Sequence, residues 1–395
     1  MARALIPAEL GAEFIHGRAP ETMALLREIG SAAIDTGGED WTYENGDLRL
    51  SGEDDFLDAA RLFTHAASLP NDESVDRFLR RFENDASQRK GVLAARAFAE
   101  GFDAADPAIA SARSIGDEWQ SGVDSSSARP LGGYGPIIRH LHDTCEKAGV
   151  TTYLSAPVRK IAWRPGDVVV AVQADGAEAR TIRARAAIVT LPVGVLRHAG
   201  DEREVVFDPP LSPPKRRALE NVTMGAVVRV VLSFRTAFWE SVCDGRYRDA
   251  AFFRSTEHPF ATYWAQLPVR SELIVAWVGG PKARALGTLS EEEIIERALD
   301  GFGGMLDERA RARSEFDGAV MHDWNRDPHA LGAYSYVAVN GGDARAGLAE
   351  PIDDTLFFAG EATSGDGQGG TVNGALETGE RAARQAAASL AAGSR

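Results

Sequence analysis

The chain has 395 residues, 44% of them hydrophobic and 26% charged, with a formal net charge of −15. That length holds a large core and two intimately connected domains. The acidic balance argues against nucleic acid or an anionic membrane as a partner; it suits a cationic substrate and, equally, plain solubility. Cys145 and Cys243 are too few for a disulfide scaffold or a cysteine-rich metal site, so no metal is expected and a reducing, cytoplasmic setting fits. Residues 1–7 carry no apolar stretch of signal-peptide length. No run of about 18 apolar residues occurs, so no membrane span is expected.

In chain order, Ala8–Gly17 reads as strand and loop. Pro20 opens a helix to about Ile29, at a position that tolerates its missing N–H. Trp41–Leu50 alternates around Asn45-Gly46, the pattern of a tight hairpin. Residues 53–122 are mostly helical in period. Asn71 or Asp72 is placed to cap the stretch holding Val75, Phe78, Leu79 and Phe82. Asp124–Ser127 is small and polar, a loop. Gly132-Gly-Tyr-Gly135 breaks the chain before a helix to about Ala148. Thr151–Thr190 is strand-like, with apolar runs at Val168–Val172 and Ala186–Pro192. Pro209–Pro214 makes a rigid turn ahead of a helix over Lys215–Asn221. Met224–Phe234 and Ala261–Gly279 read as long strands. Ser290 and Glu293 form a capping box for a helix to about Phe302. Strands near Val320 and Tyr334 precede the C-terminal segment. There a short apolar strand, Thr355-Leu-Phe-Phe-Ala359, runs through a glycine-rich turn into a long amphipathic helix. That geometry points N–H groups at whatever sits above the strand end. No internal repeat is present. The mixture, with a helix-rich insertion early and a strand-rich block in the middle, predicts an α/β fold with a strand-rich second domain.

Several of these segments, in this order, resemble the flavin-dependent amine oxidases, the family of the monoamine and polyamine oxidases. Gly11-Ala-Glu-Phe-Ile-His-Gly17 is similar to the loop beside the flavin ring, and Val158 to the position whose backbone holds the adenine. Ile188–Leu196 resembles the crossover strand, and Phe207–Lys215 the segment with the active-site lysine. Trp324–Pro328 with Gly332–Tyr336 resembles the wall of the substrate pocket, and the Gly360-Glu361 and Thr371-Val372 pairs resemble flavin-binding positions. The match covers nearly the whole chain.

The resemblance implies a Rossmann-type FAD-binding domain of the glutathione-reductase-like kind over 1–50, 131–200 and 345–395. It implies a mixed-sheet substrate domain with a helical insertion over 51–130 and 201–344. FAD would bind non-covalently, because no cysteine lies near His329 or Tyr334. Its contacts would be Gly11, Ala12, Val158, Trp324, Gly360, Glu361, Thr371 and Val372. Gly360 would allow close backbone approach, and Glu361 would accept from sugar hydroxyls. The N–H groups at Thr371 and Val372 would face the pyrimidine edge of the ring. Lys215 aligns with a lysine that holds a water against the flavin; otherwise it is a surface lysine capping a helix start. His16 would face the substrate amine and relay its proton, or sit as a loop histidine bonded to backbone carbonyls. Tyr334 would wall the substrate. Glu13 would attract a cationic amine, or be an exposed loop carboxylate. Thr371 stands where monoamine oxidases place a second aromatic wall.

The resemblance also implies an opening strand, a G-x-G-x-x-G turn and a helix that cradle the FAD pyrophosphate, yet only ten residues precede Gly11. Gly365-Asp-Gly-Gln-Gly-Gly370 fits the pattern, but no second strand or acidic ribose ligand follows it. An upstream segment, a small partner subunit supplying the βαβ unit, or a degenerate relative without FAD would each account for this. Loss of a central strand exposes sheet edges, which favours the first two and raises the prospect of a homo-oligomer. The implied activity is oxidation of a primary or secondary amine, monoamine or polyamine, to an imine and then an aldehyde, with O2 reduced to H2O2. The alternatives are an L-amino-acid oxidase, which needs an arginine for the substrate carboxylate, and a catalytically silent amine oxidase-like binding or regulatory subunit.

Overall fold

The computed structural model describes residues 7–52, 54–120, 127–173, 180–365 and 367–392. The loop expected at 124–127 lies outside them as far as residue 126, as does most of the N-terminal stretch read above. β1 (Ile15–His16) leads into α1 (Pro20–Glu28), with its proline in the first turn. β2 (Ala33–Asp35) precedes the hairpin of β3 (Glu39–Glu44) and β4 (Asp47–Leu50). Asn45 and Gly46 turn it at φ of 55° and 85°, the backbone that a two-residue turn needs. The helical stretch comprises α2 (Asp54–Ala67), α3 (Val75–Leu79), α4 (Arg89–Gly101) and α5 (Ala112–Gln120). The cap of α3 is Ser74, whose hydroxyl accepts from Arg77 N, rather than Asn71 or Asp72. Asp72 instead accepts from Ser111 Oγ and the N–H of Asn340, tying these helices to the C-terminal half.

β5 (Ser127–Pro130) and α6 (Gly135–Lys147) follow, then β6 (Val158–Arg164), β7 (Asp167–Val172), β8 (Arg180–Ala184) and β9 (Ala187–Val189). Next come α7 (Val193–Arg197), β10 (Val206–Asp208) and α8 (Pro213–Glu220), the last capped by Ser212. The strand expected over Met224–Phe234 is broken into β11 (Val222–Met224) and β12 (Val227–Phe234). The break falls at Gly225, where a Cβ would stand 2.8 Å from that of Ala104. After β13 (Ala250–Ser255), the Ala261–Gly279 stretch splits into β14 (Thr262–Trp264) and β15 (Leu273–Gly279). α9 (Gly280–Leu286) precedes α10 (Glu291–Met305), in which both halves of the Ser290–Glu293 capping box form. α11 (Arg309–Glu315), β16 (Phe316–Asp323), β17 (Ser335–Val337), α12 (Ala344–Ala349), β18 (Leu356–Phe358) and α13 (Val372–Ala392) complete the chain.

A seven-stranded sheet runs β16-β12-β15-β14-β13-β3-β4. Seven of the eight residues of β12 are buried, so both faces of the sheet are covered there, one of them by a core including Phe302 of α10. The β3–β4 hairpin pairs onto β13, so it forms one edge of this sheet. Helices α2–α5 pack around their own aromatic core, with Phe63 and Phe78 fully buried. The remaining strands form β10-β6-β7-β8 and the parallel pair β18–β9, over a shared core of Val189, Leu219, Leu356 and Phe358. First and last helices meet. The N-cap residue of α1, Ala19, offers no side-chain acceptor, and Asn373 of α13 replaces it by accepting from Glu21 N (3.1 Å) and Thr22 N (3.2 Å). Asn373→Ala is expected to lower stability by about 1–2 kcal/mol, the worth of a helix cap. Thermal unfolding checks this, and an unchanged Tm would show that α1 needs no cap.

Candidate functional site

β17, the turn after β18 and the start of α13 converge on one carboxylate. Glu361 accepts from Ser335 N (3.1 Å), Ser335 Oγ (2.7 Å) and Gly370 N (2.8 Å), with Arg345 3.6 Å away. Arg345 is buried and donates to Ser335 Oγ and O, both at 2.9 Å. A Cβ at Gly369 would come within 2.5 Å of its guanidinium carbon. The chain can pass over Arg345 only as glycine. Gly370 follows at φ 74°, where a Cβ would press on the Tyr334 ring at 3.1 Å. Thr371 then caps α13, its hydroxyl accepting from Gly374 N at 3.0 Å. Gly360, at φ 122°, has open space where a side chain would be.

Tyr334 and His16 meet on a single residue. Tyr334 Oη donates to the Phe102 carbonyl (2.5 Å), and the His16 ring stands edge-on to the Phe102 ring at 5.0 Å. Burial, with Asp103 and Glu361 nearby, pushes the Tyr334 phenol far up, so it stays protonated. Burial lowers His16 to about 4, so its imidazole stays neutral at pH 7 and accepts hydrogen bonds more readily than protons. Trp324 donates to Leu10 O (2.9 Å), and its ring lies 3.4 Å from where a Cβ on Gly11 would be. Ala12 is exposed beside it. Val158 opens β6 at the edge of the core under β9 and β18.

Two expected residues are engaged elsewhere. Glu13 is buried rather than exposed, bonded to Arg129 Nε (2.6 Å), to Arg229 and to Trp264 Nε1 (3.1 Å to each oxygen). Burial would raise its carboxyl, but Arg229 and Arg129 outweigh it and hold it low. Its charge is therefore committed and not offered to a substrate. Lys215 is tied to backbone carbonyls. Its Nζ donates to the carbonyls of Gly347 (3.0 Å), Leu348 (2.8 Å) and Glu350 (2.5 Å), 4.0 Å from the Phe358 ring centre. It closes the C-terminus of α12 rather than a helix start, and an ammonium has three protons to give. Burial lowers it to about 8.

Sequence reasoning missed the charges around these residues. Arg229 is almost wholly buried and also donates to Gly11 O (2.9 Å). An arginine inside Val227-Val-Arg-Val-Val-Leu232 was the available signal, because a charge in a strand covered on both faces needs a partner. Asp103 is buried with Oδ2 unpartnered, and burial together with Glu118 pushes its carboxyl well up. Burial likewise raises Glu118 to about 7, against the pull of Arg345 at 3.9 Å. Nothing local in the sequence marks these two among the other acids.

The family model for flavin containing amine oxidoreductases matches residues 45–387. The chain belongs to that family. FAD is the cofactor that membership implies. Over 278 residues, 68% of this chain and 16% of the relative, it is 29% identical to lysine-specific histone demethylase 1 homolog 3 of Arabidopsis thaliana. It is 28% identical to polyamine oxidase 4 of Oryza sativa subsp. japonica, over 64% of this chain and 47% of the relative. The chain thus spans between about a sixth and a half of the length of these curated relatives. Wild-type putrescine oxidase bound to putrescine shares the fold with a TM-score of 0.77 at 21% identity, over 96% of this chain and 88% of that one. Cyclohexylamine oxidase from Brevibacterium oxydans gives 0.78 at 18% identity, over 97% and 88%. The mixed α/β architecture is that of these amine oxidases. The residues expected to hold FAD leave room for it: nothing stands where a side chain on Gly360 would be, and Glu361 and Thr371 fix the turn into α13 through Gly370 N (2.8 Å) and Gly374 N (3.0 Å).

Glu13→Gln is expected to cost about 3–5 kcal/mol, because it leaves two arginine charges unbalanced in a buried site. Chemical denaturation measures it, and a loss under 1 kcal/mol would mean the cluster is not a structural keystone. Glu118 titrates near 7 when folded against an ordinary 4.5. The folded state therefore binds the extra proton in that window, and stability falls as pH rises from about 4.5 to 7. Glu118→Gln should flatten that limb of the stability–pH curve; a curve of unchanged slope would refute the assignment.

Proposed function

We propose that this chain carries the substrate face and the ring-side half of the cofactor site of an FAD-dependent oxidase. The reading takes a primary or secondary amine to an imine, with O2 reduced to H2O2, and places it in the cytoplasm. The observation that carries it is that Tyr334 and neutral His16 both meet Phe102, with Gly370 against the Tyr334 ring, in a chain of this family; the substrate recess would lie there. Gly11, Trp324, Gly360, Glu361, Thr371 and Val372 would hold FAD, which supplies the hydride acceptor when bound. An amine can lose hydride from its carbon only when its nitrogen is neutral. His16, uncharged and shielded by Phe14 and Phe102, would receive the amine in its neutral form and hold it by accepting a hydrogen bond from the amine N–H. The Tyr334 ring walls the recess and excludes water, while its hydroxyl is fixed to Phe102 O. A small monoamine or a polyamine is the substrate class, supported by what the similar oxidases are named for.

An L-amino-acid oxidase is less well supported, since Arg129 and Arg229 are both paired to Glu13. One observation favours a catalytically silent subunit: Lys215 is spent on α12. Among the described residues no helix is long and apolar enough to cross a membrane.

The test is a visible spectrum with FAD, followed by anaerobic addition of putrescine or cyclohexylamine. Loss of the band near about 450 nm is expected, as reduced flavin requires. FAD that stays oxidised with every amine tried would support the silent subunit instead. His16→Gln should slow that bleaching by about 10-fold, the usual worth of one positioning hydrogen bond. Lys215→Met should lower Tm yet leave the bleaching rate within about 3-fold, since uncapping a helix does not touch the reacting atoms. A large rate loss there would return Lys215 to the chemistry.

A further inference from the structure

Phe102 is the residue on which His16 and Tyr334 both bear. It follows the last residue of α4, and residues 100–105 then cross the ends of β12 and β15 at very close range. A Cβ would stand 2.1 Å from Glu100 O at Gly279, 2.5 Å from Ala105 O at Gly280 and 2.8 Å from the Cβ of Ala104 at Gly225. A side chain at any of the three would lift the crossing off the sheet. Ala104 holds φ at 51°, a left-handed backbone that a residue with a side chain keeps only where its surroundings impose it. The ring of Phe102 stacks on Phe98 at 4.6 Å and meets the His16 ring at 5.0 Å.

A helix leaves its last carbonyls without intrahelical donors, and many helices answer with a glycine turn. α4 is closed instead by two side chains from far along the chain. Trp277 Nε1 donates to Gly101 O at 3.0 Å, and Tyr334 Oη donates to Phe102 O at 2.5 Å. Trp277 stands in β15 directly opposite Arg229 of β12, so the two side chains leave the same face of the sheet. Arg229 reaches Gly11 O at 2.9 Å, in the stretch that leads to His16. One cross-strand pair therefore holds both of the segments whose rings meet at His16 and Phe102.

We propose that Trp277 is a positioning residue of the candidate site. Its indole N–H fixes the end of α4, and with it the carbonyl that orients Tyr334 and the ring that backs His16. Trp277 sets one wall as Arg229, its cross-strand partner, sets the other. The consequence for an amine rests on the oxidase reading; the closure of α4 does not.

Two variants test this. Trp277→Phe removes the donor and keeps an aromatic ring. Replacement of Trp277 by 3-benzothienylalanine, with sulfur in place of the indole N–H, keeps the shape as well, and carries the test alone if Trp277→Phe does not fold. Hydrogen exchange and the ring signals of nitrogen-labelled histidine are recorded on the full chain, which needs no cofactor. Both variants are expected to speed exchange over residues 100–105 about 10-fold and to shift the His16 signal, while β15 exchanges as before. In the FAD-loaded chain the bleaching rate at saturating amine should fall about 10-fold or more, with FAD retention unchanged. A merely structural tryptophan would loosen β15 as a whole and leave the His16 signal in place. That result, or unchanged exchange over 100–105, overturns the proposal. Trp277→Phe joined to Tyr334→Phe should speed exchange no more than the larger single change, because both act on one helix end. Effects that add in full would make them separate closures and overturn it as well. If the crossing loosens but no amine bleaches even the unaltered chain, the oxidase reading fails and the positioning stands. If it loosens and bleaching stays within about 2-fold, the positioning fails and the oxidase reading stands.

Discussion

The site depends first on the carboxylate of Glu361. It gathers Ser335 of β17, the N–H of Gly370 and, through Ser335, the Arg345 guanidinium. These are three separate stretches of chain, and each carries something the site needs. β17 follows directly on Tyr334, Gly370 leads into the cap of α13, and Gly360 precedes Glu361 itself. A hydrogen bond to an ionised acceptor is stronger than a neutral one and loses more when it is broken. The turn is therefore fixed before any cofactor arrives, and α13 presents its N-terminus without having to be ordered by the ligand.

Glu13 does the same for the other wall. Its two oxygens bind Arg129 from β5, Arg229 from β12 and Trp264 from β14, so a loop that has no regular structure is held by two sheets. A buried pair of this kind adds little net stability over apolar packing, but it tolerates no single deletion. What it provides is position. Gly11 O is bound by Arg229 and Leu10 O by Trp324, which sets the loop against the Trp324 ring. With Asn373 anchoring α1 from the far end of the chain, both termini are drawn to one place.

Much of this was legible in the sequence wherever the signal is local. The Asn45-Gly46 hairpin, the Ser290–Glu293 box, Pro20 and the C-terminal strand–turn–helix each follow from a few residues and fold as expected. The family resemblance singled out Tyr334 and His16, and both meet Phe102; Trp324 lies against Leu10 and Gly11. What failed needs contacts distant in sequence. Ser74 was preferred over Asp72 as a cap because Asp72 is taken by Ser111 and Asn340. The long strand at Met224 is cut by Ala104, over a hundred residues away. Lys215 was read from a segment likeness, but its ammonium is claimed by the end of α12, which no pattern around residue 215 foretells. Glu13 looked like a free loop carboxylate because its two arginines lie in other strands.

The charges around Tyr334 also bear on what the recess can receive. Asp103 and Glu118 both lie near the Arg345 guanidinium, which also stands 3.6 Å from Glu361. Burial outweighs the pull of that guanidinium on Asp103 and Glu118 and pushes both carboxyls up, so this pair holds a proton near neutral pH. A cation entering beside Tyr334 meets surroundings that are acidic without being fully charged. Its arrival favours release of that proton, and the field it then feels is stronger than the one that admitted it. An anion finds no such response, and the chain's charge of −15 repels it at long range as well. The same buried acids that cost stability above their titration range thus make the surroundings of Tyr334 respond to a cation and not to an anion, while His16 against the Phe102 ring stays neutral and adds no charge of its own.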